Sequence, residues 1–312
     1  MTDAIVVHHT MLPATVPHSF ELSLRAMSGF APCSGDQQVV DGRVRKAFLL
    51  PGEPDTAIVA EVGPGLELTV YAARPPDPDQ LALVERDVSR WLSLDDDMSD
   101  FLAAAAADPA MGPILDVARG LHQVRFPSLA EGAAYFTLTQ RSTSWFAAAR
   151  KRRLAVERGP RLVVEGVTYT AFPSLVTVAT LTDGELLDHC GNQQRASRVR
   201  EVVEGVAALD EHWLRTGPHD EVRRALLDVP GIGPFTAHGL LLRVLGRPDD
   251  APLDLAQFEA AARALYGEPA PSPAELRAHY GPWVGWWAYY ARTALPWLAE
   301  SARERDPVPA AA

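Results

Sequence analysis

The chain has 312 residues, 47% of them hydrophobic and 22% charged, with a formal net charge of −11. That length supports one large domain or two modest ones. Two cysteines, Cys33 and Cys190, are too few for a four-thiolate iron–sulfur or zinc site or for a disulfide framework. The start of the chain does not read as a signal peptide, and no apolar run reaches the length of a membrane span. The expectation is a cytoplasmic protein with no membrane partner.

In chain order, Ser19 to Phe30 has helical spacing. Gln38 to Leu50, Thr56 to Glu61 and Leu66 to Ala72 read as strands, with Gly63-Pro64-Gly65 as the turn between the last two. Asp79 to Leu94 returns to helical periodicity, and Asp95-Asp96-Asp97 marks a border. Residues 1–97 are therefore expected to form a small antiparallel α/β domain with its helices on one side. Beyond residue 98 helical spacing dominates, over 101–106, 111–119, 128–154, 183–190, 195–213, 219–228, 235–246, 255–266, 274–280 and 284–293. Arg161 to Tyr169 interrupts it as a short hairpin, and Ala171 to Ser174 leads to a helix or turn. The fold class is α+β, with a helical domain over 98–305 and a disordered Pro/Ala tail over 306–312.

Charge is unevenly spread. Residues 1–110 hold 17 acids against 7 bases, whereas residues 141–224 hold 11 acids against 13 bases. The second region carries Arg150-Lys151-Arg152-Arg153 and the series Arg195, Arg198, Arg200. A protein that touches a few phosphates does not need a high overall charge.

The string Leu227-Asp228-Val229-Pro230-Gly231-Ile232-Gly233-Pro234-Phe235-Thr236-Ala237 reads as a hairpin between two helices. Proline sets φ, the two glycines permit a tight turn, and Ile232 can plug the gap between the helices. Gly233 and Pro234 open the second helix, whose unsatisfied N–H groups suit a phosphate. The backbone carbonyls of Leu227, Val229 and Gly231 suit a monovalent cation. Twenty-three residues after Gly231, Pro252-Leu253-Asp254 precedes a good helix. Asp254 reads as an N-cap, and a carboxylate there can stabilise positive charge at a sugar C1′ and orient a water. Aromatic residues that can wall a base pocket are Phe235, Trp283, Trp286, Trp287, Tyr289 and Tyr290, with His238 beside them. Trp286 and Tyr290 are spaced i,i+4 and share a helix face.

These residues resemble the helix-hairpin-helix DNA glycosylase superfamily, and within it the bacterial 3-methyladenine DNA glycosylase II branch. Val229 to Ala237 resembles the hairpin, with its core at about 221–245. Pro252-Leu253-Asp254 resembles the segment carrying the catalytic aspartate. Gly132 to Ala149 resembles the first helical segment, whose start wedges into DNA. The resemblance implies a small antiparallel domain before a two-lobed helical glycosylase domain. It implies a monomer that acts on double-stranded DNA containing a damaged base. Asp254 is the catalytic residue so implied. Phe235, His238, Trp286 and Tyr290 form the pocket, and Gln140, Arg141, Gly231, Gly233 and Thr236 contact DNA. No cofactor is required, and Na+ or K+ fits the hairpin carbonyls.

Two departures refine this. Strand-cutting relatives carry lysine where this chain has Phe235, and no lysine occurs after residue 151. The expectation is a monofunctional enzyme with water as nucleophile. Arg141 stands where the alkylation enzyme has an apolar wedge. Alkylated purines are the expected substrates, and a cationic base gains from stacking on electron-rich rings. Two alternatives stay open: a glycosylase for oxidised or deaminated bases, and a non-enzymatic DNA-binding protein that kept the hairpin.

Overall fold

The computed structural model describes residues 4–33 and 35–305. The tail expected over 306–312 lies outside the described residues. The front of the chain builds a five-stranded antiparallel sheet from β1 (Ile5–Met11), β2 (Gln37–Val40), β3 (Arg43–Leu50), β4 (Glu53–Val62) and β5 (Glu67–Ala72), in the order β1-β5-β4-β3-β2. Strand β1 was not anticipated. It is an edge strand whose Ile5, Val6 and Met11 are exposed, so its sequence lacks the in–out alternation of a half-buried strand. The expected single strand Gln38 to Leu50 is two strands. Asp41 and Gly42 both adopt positive φ, at 50° and 73°, and turn the chain between them. An Asp-Gly pair between hydrophobic runs is a strong hairpin signal.

Helix α1 (Phe20–Ser28) and helix α2 (Pro78–Leu92) accompany the sheet. Asp77 and Gln80 close a capping box at the start of α2. Val84, Val88, Trp91 and Leu92 of α2 join Val44, Phe48, Ile58 and Val62 of the sheet in one core. That core runs on into helices α3 (Ser99–Ala106) and α4 (Gly112–Ala118). The opposite sheet face, at Ala47, Ala57 and Val59, is covered by a hairpin of β6 (Arg161–Val164) and β7 (Val167–Thr170) through Leu162, Val164 and Tyr169.

The expected helix over 128–154 is two helices, α5 (Leu129–Leu138) and α6 (Ser144–Arg158). The break falls at Arg141, which has φ of 52°, and Thr143 caps α6. Next come α7 (Leu175–Ala179) and α8 (Asp183–Cys190). The span 195–213 likewise divides into α9 (Gln193–Ala207) and α10 (Glu211–Thr216), with Asp210 as the new N-cap. Helices α11 (His219–Asp228), α12 (Pro234–Arg243), α13 (Ala256–Tyr266), α14 (Pro273–Tyr280) and α15 (Val284–Arg305) complete the chain.

Two helical lobes result, because the apolar faces gather into two cores. Helices α5, α6, α8, α9, α11 and α12 share one core. Helices α13, α14 and α15 pack with α3, α4 and the sheet in the other. Among the described residues no single helix is long and apolar enough to cross a membrane.

Candidate nucleic-acid and base-binding site

The α11–α12 hairpin turns at Val229–Gly233 as the sequence predicts. Gly231 has φ of 86°, in the left-handed region that favours glycine. A Cβ on Gly231 would lie 2.9 Å from Arg198 Cγ and 3.0 Å from Val202 Cγ2, so the turn sits hard against α9. Ile232 is buried in the lobe core. Gly233 differs: it is the N-cap of α12 with φ of −100°, and a Cβ there meets nothing within 4 Å. That open space faces the first turn of α12, where backbone N–H groups are unpaired.

Gln140 ties this hairpin to the end of α5. Its Nε2 donates to the Gly231 carbonyl at 2.8 Å and to Thr236 Oγ1 at 3.2 Å. Thr236 is itself buried. Gln140 therefore fixes the hairpin from inside rather than projecting as a wedge, while Arg141 beside it is exposed. The Gly231 carbonyl thus already has one donor, and the Val229 carbonyl accepts from the Ile232 N–H at 3.1 Å. The sequence reading missed Trp145 next door. It is 76% exposed at the start of α6, a large apolar side chain beside the Gln140 loop. Phe146, its neighbour, lies under the guanidinium groups of Arg150 and Arg195, each 4.9 Å from the ring centre.

A cleft of about 620 Å³ opens between the two lobes. Tyr135 and Phe136 of α5 and Phe235 and His238 of α12 form one wall; Phe258 of α13 and Tyr289 and Trp297 of α15 form the other. Phe235 is 38% exposed and stands edge-on to Phe136, with ring centres 6.1 Å apart. His238 packs edge-on to Phe258 at 6.1 Å, and burial pushes its pKa down to about 4 despite the nearby Asp250, so it is neutral at pH 7. Both residues line the cleft.

Trp286 and Tyr290 do not line this cleft. Trp286 packs on Phe101 and stacks on Trp283 at 5.2 Å, and Tyr290 packs on Phe101 at 4.9 Å and donates to the Leu121 carbonyl at 2.7 Å. Their shared face points into the sheet-side core. The opposite face of α15, carrying Tyr289, Arg292 and Trp297, meets the cleft instead.

Asp254 also departs from expectation. Helix α13 starts at Ala256 with Leu255 as its N-cap, and no side chain caps it. Asp254 sits in the preceding turn, exposed, with no hydrogen bond or ion pair among the described residues. Three residues on, Gln257 lines the cleft. Asp254 is thus an exposed, unpaired carboxylate before α13 that does not itself line the cleft.

The charges of the cleft were not legible in advance. Arg25, Arg243 and Arg292 line it against one carboxylate, Glu300. Glu300 is bound by Arg25 at 2.7 Å. Arg243 lies over Phe30 and Tyr289, at 4.3 and 5.0 Å. Its Nη2 donates to the Val124 carbonyl at 2.9 Å, while its buried Nε has no partner.

Much of the basic run is used internally. Arg150 and Arg153 donate to carbonyls at Asp188, and Arg200 pairs with Asp183. Lys151 is buried between Asp36 and Glu131, and Lys46 lies 3.6 Å from the same Glu131. Burial alone would push the Glu131 carboxyl up, but the two ammonium groups hold it below the ordinary range. Cys33 lies 4.0 Å from Lys151 Nζ, and burial pushes its thiol up to about 11. Lys46 and Lys151 are the only lysines of the chain.

A sheet domain followed by two helical lobes, with a hairpin on one lobe and an aromatic cleft between them, is a fold found in solved structures. The same fold recurs in the 3-methyladenine DNA glycosylase of Archaeoglobus fulgidus, with a TM-score of 0.74 over 96% of this chain and 100% of that one at 18% identity. It recurs in the 8-oxoguanine glycosylase/lyase of Clostridium acetobutylicum, with a TM-score of 0.61 over 83% of this chain and 98% of that one at 16% identity. In sequence the chain is similar to two bacterial proteins. It is 24% identical over 220 residues to the DNA-3-methyladenine glycosylase of Bacillus subtilis, covering 70% of this chain and 73% of that protein. It is 28% identical over 292 residues to a Mycobacterium tuberculosis protein named "Probable bifunctional transcriptional activator/DNA repair enzyme AlkA". That match takes in 89% of this chain but about half of the relative, 54%. No family model matches the chain.

Proposed function

We propose that the protein is a monofunctional DNA glycosylase that hydrolyses the N-glycosidic bond of alkylated purines in double-stranded DNA and leaves an abasic site. The observation that carries this reading is the aromatic cleft of about 620 Å³ set directly against the hairpin helix. That volume falls in the range of small-molecule sites, and a flipped base is held by stacking between such walls. Gly233 and the first turn of α12 hold a DNA phosphate without reading sequence, and the hairpin carbonyls admit a Na+ or K+ beside it. Phe235 and His238, one turn apart on α12, meet the base. The alkylpurine preference rests on the names of the bacterial and archaeal relatives.

Asp254 supplies the chemistry. Its carboxylate faces positive charge as it develops at the sugar and directs a water toward C1′. The bond to the base breaks, the base departs with the bonding pair, and the water oxygen joins C1′ while its proton passes to the Asp254 carboxylate and on to solvent. Strand cutting through a Schiff base needs an amine near C1′. Both lysine side chains are buried in ion pairs with Glu131, at 3% and 1% exposure. Incubation with alkylated duplex followed by borohydride should release free alkylpurine and trap no covalent adduct. Efficient trapping at an internal amine overturns the monofunctional assignment, and absence of any released base overturns the glycosylase reading.

A further inference from the structure

On the lobe that carries the hairpin, Arg153, Arg158, Arg200 and Arg215 each lie 2.7–2.9 Å from a carboxylate. Arg195 and Arg198 on α9 differ. Their guanidinium groups meet no carboxylate and no hydrogen-bond acceptor among the described residues. Both side chains are half-buried, so neither is a loose surface charge. Spaced i,i+3, they share one face of α9.

That face joins the hairpin to the loop beside it. At one end the stem of Arg198 packs on the turn, its Cγ 2.9 Å from the position of a Cβ on Gly231. At the other end the Arg195 guanidinium lies over Phe146, 4.9 Å from the ring centre. Arg150 lies over the same ring, but it already donates to the Asp188 and His189 carbonyls. Phe146 follows the exposed Trp145, and Gln140 ties the loop before them to the hairpin. Stacking on a ring fixes the plane of a guanidinium and leaves its N–H groups unused. All five donors of each arginine stay open, and a planar guanidinium pairs two-pronged with a phosphate. The whole chain carries −11, so this face is a local exception that suits a polyanion.

We infer that Arg195 and Arg198 form a second clamp on the backbone of duplex DNA, holding neighbouring phosphates beside the one bound at the start of α12. The inference rests on the reading of the hairpin as a DNA-binding element under the proposed function. A single phosphate contact leaves the duplex free to turn about it. Further contacts along α9 fix its direction relative to the cleft. Phosphate contacts of this kind position DNA and carry no sequence information.

The test measures binding of the full-length protein to an abasic-site duplex at about 50 to 200 mM NaCl, by fluorescence anisotropy. Each lost phosphate contact flattens the dependence of log affinity on log salt by about 0.9. Arg195→Gln and Arg198→Gln should each flatten it by about that amount, and the double variant by about twice as much, for every flanking sequence. Glutamine keeps the Cβ and Cγ, so the packing of position 198 on the turn survives. Arg195→Lys and Arg198→Lys keep the charge and should keep the wild-type salt dependence. Arg74→Gln removes an exposed cation paired with Glu53 on the sheet domain and should change nothing. An unchanged salt dependence in the double variant overturns the clamp. Equal flattening in the lysine variants or in Arg74→Gln overturns it as well. Single-turnover base release at saturating duplex separates this inference from the glycosylase reading. Binding with the expected salt dependences but no release supports the clamp and removes the glycosylase reading. Absence of duplex binding by wild type removes both.

Discussion

Gly231 and Gly233 look alike in the sequence, and the structure separates them. Gly231→Ala forces an L side chain into the left-handed region, at about 1–2 kcal/mol. It also places a methyl group 2.9 Å from Arg198 Cγ and 3.0 Å from Val202 Cγ2. Overpacking of that kind costs about 1–3 kcal/mol, and about 0.4–1 kcal/mol returns through the stiffer unfolded chain. The net destabilisation is about 1–5 kcal/mol. Gly233→Ala meets open space at a φ of −100°. Alanine is a poorer N-cap than glycine, and the unfolded-state gain offsets most of that loss, so the net change is within about 0.5 kcal/mol. Urea unfolding of both variants, with binding to an abasic-site duplex measured alongside, decides the matter. Equal stability losses at the two positions would refute the turn geometry.

Other consequences can be checked in the same laboratory. Lys151→Met strips a buried ammonium from Asp36 and Glu131 and should cost about 3–5 kcal/mol, read by denaturant unfolding, since the remaining carboxylates stay buried. His238 and His18 both have pKa values pushed down to about 4, chiefly by burial. Their stabilisation is present above the unfolded pKa of about 6.5 and is lost as pH falls toward 4, by up to about 3 kcal/mol for His238 and by less for the half-buried His18. The thermal midpoint of His238→Gln should therefore fall less than that of wild type between pH 7 and 5. Trp145→Ala should leave stability unchanged, because the indole is exposed, yet weaken binding to an abasic-site duplex by roughly tenfold if the ring stacks in the gap. Unchanged affinity would place Trp145 outside the interface.

The order of the fold was legible because it rests on local signals. The hairpin needs proline, glycine and a plugging apolar residue within five positions, and the periodicity of α11 and α12 flanks it. Breaks inside long helical runs were harder to see. Arg141 and Asp210 interrupt patterns that remain apolar on both sides, and only the caps Thr143 and Asp210 give the breaks away. The pocket exposed a different limit. An i,i+4 spacing shows that Trp286 and Tyr290 share a face, but which face of α15 meets the cleft depends on the partner helices α3 and α4. Charge was less legible still. Lys151 lies within a basic run that reads as surface, and Glu131, twenty positions away, draws it inside. The three arginines of the cleft come from α1, α12 and α15, so no spacing in the sequence could group them.

The proposed function rests most directly on base release by Asp254. Asp254 is exposed and makes no hydrogen bond or ion pair among the described residues, so Asp254→Asn should leave the fold and DNA binding intact. The direct measurement is single-turnover release of free base from an alkylated duplex by wild type and Asp254→Asn, with abasic-duplex affinity as the control. The expected result is a loss of at least about 100-fold in release at unchanged affinity, as for removal of a transition-state electrostatic contact. Near-normal release by the variant would contradict the claim.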